Sequence, residues 1–194
     1  MGTLIFFLQN LLYEGGTSMK KTRVLVNFLF MLFLLTLPVT SFAYTYQSNE
    51  YGFSLVMPEK PAAVIVSSEE DGVRLDFSRG ENTYPFWWVK TDAIEDAEDE
   101  FIDPTTLSKA ELEEYYRGLR EEDYGAAQCE KVGIIKAGKY NGTLVVTREN
   151  DEMTAIVMFK ASKLDYTVTL TTDKKTFEQQ FQIFKQSLTT FAEI

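Results

Sequence analysis

Two stretches gather the side chains that could do chemistry. In "TDAIEDAEDEFIDP" the carboxylates Asp92, Glu95, Asp96, Glu98, Asp99, Glu100 and Asp103 crowd together. Calcium takes roughly six to eight oxygen ligands, so a carboxylate-dense loop is a chemically reasonable cation site. Its candidate ligands are Asp92, Glu95, Asp96, Asp99 and Asp103. The spacing is not that of an EF-hand, which needs acidic or amide residues at alternate positions and then a glycine. A solvated acidic loop, partly serving the dipole of the helix that follows, is the simpler reading. The second stretch, "YPFWWVKT", strings Tyr84, Phe86, Trp87 and Trp88 along one segment. Exposed, these rings could stack a sugar, a peptide aromatic or a partner's hydrophobic anchor; buried, they are core. They are the candidate partner-binding residues.

Composition removes most other chemistries. Histidine is absent, which excludes Ser-His and Cys-His nucleophile pairs, the usual zinc ligands and the usual near-neutral general base. No G-x-S-x-G, P-loop or G-x-G-x-x-G occurs. Paired carboxylates can hydrolyse glycosides, but separation in space decides that reaction and spacing in sequence does not. Cys129 is the only cysteine, so an intramolecular disulfide is impossible. In "AAQCEKVGII" it reads as a small buried hydrophobe on a strand. These exclusions point to a non-catalytic protein, and no cofactor is expected.

The elements that would position these residues follow from periodicity. "YTYQSNEYGFSLVMPEKP" reads as two short strands, Tyr44 to Gln47 and Phe53 to Met57, separated by a polar turn. "AAVIVSSEEDGVRLDFSRG" reads as a hairpin turning at Asp71-Gly72, and the aromatic segment as a further strand. Ser108-Lys109-Ala110-Glu111 fits a capping box, with Leu107 and Leu112 placed for a hydrophobic staple. Leu112, Tyr115, Tyr116 and Leu119 recur at helical spacing, which predicts a helix with one inward face, ending by Gly125. From Ala126 to Asp173 four strands form a meander, with turns at Tyr140-Asn141-Gly142, Asn150-Asp151 and Lys163-Leu164-Asp165. "FEQQFQIFKQSLTTF" closes with the apolar stripe Phe177, Phe181, Phe184, Leu188 and Phe191, capped by Asp173. Strands, a helix, a meander and a final helix predict an α+β domain, an antiparallel sheet flanked by helices as an α/β/α sandwich. Adjacent strand residues point to opposite faces, so Trp87 and Trp88 must meet different sides of that sheet.

The beginning of the chain reads as a targeting segment. From Met19 a basic start, Lys20, Lys21 and Arg23, precedes the apolar run "VLVNFLFMLFLLTLPV" and the small residues Ser41 and Ala43. That order predicts a secretory signal over residues 19–43, cleaved before Tyr44. Residues 1–18 are expected to be leader read in frame, because Glu14-Gly15-Gly16 permits a purine-rich ribosome-binding sequence just upstream of the Met19 codon. Residues 44–194 then form a single α+β domain, long enough for a core of its own. The formal charge of −10 becomes about −12 without residues 1–43, a surface that repels nucleic acid and anionic lipid.

An exported chain that opens with "YGFSLVMPEKP" and continues through "GKYNGTLVVTREND" and "YTVTLTTD" to "FEQQFQIFKQSLTTF" resembles the Mog1/PsbP-like group, including its DcrB-related bacterial secreted members. Ser187 and Phe191 stand further apart here than the adjacent pair usual in that group. The resemblance implies the α/β/α sandwich and a binding or assembly role; one member assists a small nuclear GTPase and others help organise photosystem II. It implies no functional residue, since the metal sites of PsbP-type proteins rely partly on histidine. The expected function is an exported, non-catalytic binding or assembly-accessory domain of a bacterial envelope or secretome. It would be periplasmic or extracellular, with an unknown envelope or secreted protein as partner, and with no nucleic acid and no membrane contact after cleavage. A calcium or carboxylate site at residues 92–103 and an oligomerising structural module are the alternatives.

Overall fold

Period-two alternation in the meander builds a sheet with one dry face. A computed structural model describes residues 44–69, 71–78, 84–93 and 102–194; the expected leader and signal, residues 1–43, lie outside the described residues. The strands are β1 (Tyr44–Ser48), β2 (Phe53–Met57), β3 (Ala63–Ser67), β4 (Gly72–Asp76), β5 (Phe86–Ala93), β6 (Gln128–Ala137), β7 (Tyr140–Glu149), β8 (Glu152–Lys160), β9 (Leu164–Asp173) and β10 (Ala192–Glu193). The helices are α1 (Lys109–Glu121) and α2 (Phe177–Leu188), with a 3-10 turn at Pro104–Thr106. Seven strands form an antiparallel sheet in the order β3-β4-β5-β9-β8-β7-β6, and β1-β2-β10 form a smaller one. This is the expected α+β architecture. Among the described residues no helix is long and apolar enough to cross a membrane.

The register decides which side chains share a face. Val73, Leu75, Trp87, Val89, Val168, Leu170, Ala155 and Val157 point to the inner face and are sealed from solvent. There the α2 stripe packs, with the Phe184 ring edge-on to Trp87 at 5.3 Å. The outer face is covered at its β6–β7 side by the 3-10 turn and α1. Tyr115 and Thr143 join hydroxyls at 2.8 Å, and the Asn141 amide donates to Asp103 at 3.1 Å and to Thr105 at 3.0 Å. The Ser108 capping box forms as predicted. Leu112, Tyr115, Tyr116 and Leu119 are only half-buried, because α1 lies against the edge strand β6.

The C-terminal segment closes the core. Phe191 sits within 4.8 to 6.3 Å of the rings of Phe53, Tyr140, Phe159 and Tyr166, centre to centre. Around it, β10 pairs with β2, the Ile194 amide donates to Gly52 at 2.9 Å, and the Val56 amide donates to the Thr190 hydroxyl at 2.8 Å. The Glu193 carboxylate accepts from the Lys163 amide at 2.7 Å, the Ser162 amide at 3.1 Å and the Tyr140 hydroxyl at 3.0 Å.

Four local expectations are corrected, the first being the β8–β9 turn, which ends at Lys163 because Leu164 and Asp165 already lie in β9. The β6–β7 turn falls at Gly138, with φ +56°, and not at Tyr140-Asn141-Gly142, all of which lie in β7. Asp173 does not cap α2: Thr176 holds that position, and the Asp173 carboxylate accepts from the Lys175 and Thr176 amides at 2.9 and 3.0 Å in the preceding turn. Gly72 begins β4 and is not a turn residue.

Gly138 also meets the C-terminal segment, its amide donating to the Leu188 carbonyl at 2.8 Å. A Cβ there would collide with the Phe191 carbonyl oxygen. Gly138→Ala is therefore expected to lower stability by roughly 2–4 kcal/mol in denaturant unfolding. A second prediction concerns Tyr166, whose hydroxyl donates to the Tyr51 and Gly52 carbonyls at 3.0 and 3.1 Å. Burial, then the charges of Glu193 and Tyr140, push this phenol up to about 12. The folded state keeps its proton where the unfolded chain releases it, so this contribution is intact below about pH 10 and is lost as pH rises towards 12. The melting temperature should fall over that range. Tyr166→Phe should flatten part of the fall while costing about 1–2 kcal/mol at neutral pH.

Candidate functional site

Strand β5 carries two unlike rows. Its inner row is the core pair Trp87, 2% exposed, and Val89. Its outer row is Phe86, Trp88, Lys90 and Asp92, of which the first three are half-buried and Asp92 is exposed. The two adjacent tryptophans thus face opposite sides of the sheet, as alternation requires.

Register across the strands assembles the surroundings of that outer row. Arg74 of β4 lies opposite Trp88, and Asp76 lies opposite Phe86. On the other side stand Thr167, Thr169 and Thr171 of β9, then Met158, Ile156 and Thr154 of β8. The Arg74 guanidinium sits 3.8 Å over the Phe86 ring and is held there by Asp76 at 2.7 Å. The Lys90 ammonium lies 5.3 Å over Trp88. Tyr84 extends the row, its ring stacked 6.1 Å from Phe86 and its hydroxyl bonded to Glu152. That bond, ahead of burial and the charges of Glu152 and Asp173, pushes the Tyr84 phenol up to about 12.

The outer indole rests against backbone. A Cβ at Gly72 would stand 2.6 Å from the Val89 carbonyl and 2.9 Å from the Trp88 indole nitrogen, so only glycine leaves room for the ring. That indole N–H is buried and has no hydrogen-bond partner among the described residues, nor has that of Trp87. An orphaned donor of this kind costs about 1–3 kcal/mol. Sequence reasoning singled out the aromatic row and missed Gly72, Arg74 and Lys90. Gly72 reads as a turn residue beside Asp71, and Arg74 reaches the row only through strand register.

The acidic candidates divide. Glu95, Asp96 and Asp99 lie outside the described residues. Asp103 binds its own turn: its carboxylate accepts from the Thr105 amide at 2.9 Å, the Thr105 hydroxyl at 2.7 Å and Asn141. Burial would raise the Asp103 carboxyl, but these donors and Lys136 outweigh it and hold the group below the usual range. The signal for this role is the Asp-Pro-Thr-Thr run, an N-cap followed by proline. Asp92 faces Asp165 across β5 and β9, and one Asp165 oxygen is buried without a partner. Burial raises the Asp165 carboxyl, Lys160 lowers it and Asp92 raises it again, the net shift being upward. Among the described residues no group of three or more His, Cys, Asp or Glu is arranged to hold a metal.

Such a surface can stack, accept and donate hydrogen bonds, and exclude water. No protein-family model and no curated protein matches the chain. Among solved structures it is similar to the solution structure of cyanobacterial PsbP (CyanoP) from Synechocystis sp. PCC 6803. The identity is 10%, covering 78% of this chain and 92% of that one, with a TM-score of 0.50. It is also similar to a crystal structure from Bacteroides thetaiotaomicron VPI-5482, with 9% identity over 79% of this chain and 49% of that one, and a TM-score of 0.47. The first likeness shows a PsbP-like fold.

Proposed function

We propose that the chain is an exported, non-catalytic binding or assembly-accessory domain of a bacterial envelope or secretome. It docks a partner protein on the outer face of its large sheet, around Phe86 and Trp88. The observation that carries this is the asymmetry of β5: Trp87 and Val89 are sealed while Phe86, Trp88 and Lys90, one residue away, stay half-buried. A flat row of rings flanked by guanidinium, ammonium and threonine hydroxyls suits a protein surface with an apolar centre and a polar rim. The PsbP-like fold supports a non-catalytic role, the lack of histidine agrees with it, and the segment at residues 19–43 supports export to the periplasm or the medium.

Capture from the native envelope tests the reading. Trp88→Ala should abolish capture of the partner while lowering stability by only about 1 kcal/mol, because its ring is half-buried. Trp87→Ala should lower stability by about 3–5 kcal/mol, as expected of a buried ring. Capture that survives Trp88→Ala and Phe86→Ala moves the docking surface elsewhere.

One observation favours a second reading, a calcium site beginning at Asp92. The unpartnered Asp165 oxygen lies across from Asp92, at the entrance to the acidic run. A cation bound only by the native state raises the unfolding midpoint. Millimolar calcium should then raise it, and Asp92→Asn should cancel the rise. No rise in the unaltered protein retires this reading.

A further inference from the structure

Among the described residues the large sheet has two edges without a partner strand, and they are built differently. Strand β6 is blunted in several ways: charged Glu130, Lys131 and Lys136 are exposed along it, its pairing slips between Cys129 and Lys131, and α1 packs beside it. Such charges and bulges are how native edges avoid pairing with another chain. Strand β3 has none of them. It reads Ala63-Val64-Ile65-Val66-Ser67, pairs with β4 without interruption, and exposes Val64 by 44%, Ile65 by 48% and Val66 by 54%. Pro61, the residue that could blunt it, lies before the strand. At its far end the Tyr51 hydroxyl donates to the Ser67 carbonyl at 3.2 Å, which anchors the strand.

We infer that β3 is a homodimer edge, pairing antiparallel with β3 of a second copy about a two-fold axis through Ile65. The argument is self-complementarity, which an isologous contact demands. A two-fold axis perpendicular to the sheet keeps each side chain on its own face, so partners must be an even number of residues apart. Centred on Ile65, the pairing sets Ile65 against Ile65, Val64 against Val66 and Ala63 against Ser67. Large meets large and small meets small, and every opposed pair of large residues is β-branched. Centred on Val64, it would set Ser67 against Pro61, which has no N–H to give. Centred on Val66, it would set Val64 against Ser68 and Ala63 against the carboxylate of Glu69. Only the central register is both apolar and complete. This inference is independent of the reading of the outer sheet face.

The subunits are strongly acidic, so screening their repulsion must strengthen the contact, whereas attraction to a basic partner would weaken with salt. Sedimentation velocity on the purified protein should show a dimer whose fraction grows with protein concentration and with added salt. Ile65→Lys sets like charges face to face, and Val66→Lys adds a charge on the strand's other side. Each should weaken association about tenfold or more while leaving thermal unfolding of the monomer unchanged. In a Cys129→Ser background, Ile65→Cys should form an intermolecular disulfide on oxidation, because opposed residues across an antiparallel pair lie about 4.5–5.5 Å apart at Cα. Val64→Cys should not, its copy being about 8 Å away. A wild-type protein that stays monomeric at high concentration and salt overturns the inference. So does a dimer untouched by both lysine variants, or equal cross-linking at Ile65 and Val64. Val66→Lys, on the sheet face opposite Trp88, separates this result from capture of a partner through Trp88, whereas Ile65 shares the outer face with Arg74 and Trp88.

Discussion

The packing of Phe191 is the constraint on which the rest of the structure depends. One ring touches Phe53 of the small sheet, Phe159 and Tyr166 of the meander and Tyr140 at the start of β7. Without it the two sheets share few aromatic contacts, and the tail that carries β10 has no apolar anchor. Burying a ring of this size is worth a few kcal/mol, on the scale of a small domain's whole margin of stability. The surrounding bonds are arranged to serve that ring. Gly138 gives up its side chain to let the tail pass, and Glu193 ties down the β8–β9 turn that borders it.

With the middle of one face of the large sheet closed by the α2 stripe, the other face is released from holding the fold together. The α1 helix shields the β6–β7 side, and the opposite side keeps rings, threonines and cations half in contact with water. Arg74 lies over the Phe86 ring, Lys90 lies over Trp88, and the Trp88 indole fills the room that Gly72 leaves. Under the proposed function, rings placed on a central strand and not on a loop lose little entropy when the partner docks.

Much of the fold was legible because its signals are local. The Ser108 box, the alternation of β8 and β9 and the α2 stripe each sit within a single element. What escaped was decided over distance. "AGKYNG" holds two turn signals, and the choice of Gly138 over Gly142 is made by Phe191, far along the chain. The two-residue strand β10 has no period to read, so the separate small sheet was not foreseen. The aromatic row was visible as composition, but its partners Gly72 and Arg74 belong to a neighbouring strand that only register brings alongside. Cys129, read as a small buried hydrophobe, is only half-buried, because it lies beside the slip in an edge strand.

The tail has a meaning in time as well as in space. Leu188 through Ile194 leave the ribosome after every strand they join, yet β10, the Gly138–Leu188 bond and the Glu193 clamp are what close the core. Until that segment docks, the rings of Phe159 and Tyr166 lack the Phe191 ring that packs edge-on against both and the Gly138 amide lacks its acceptor, so closure of the core is the last step the chain order permits.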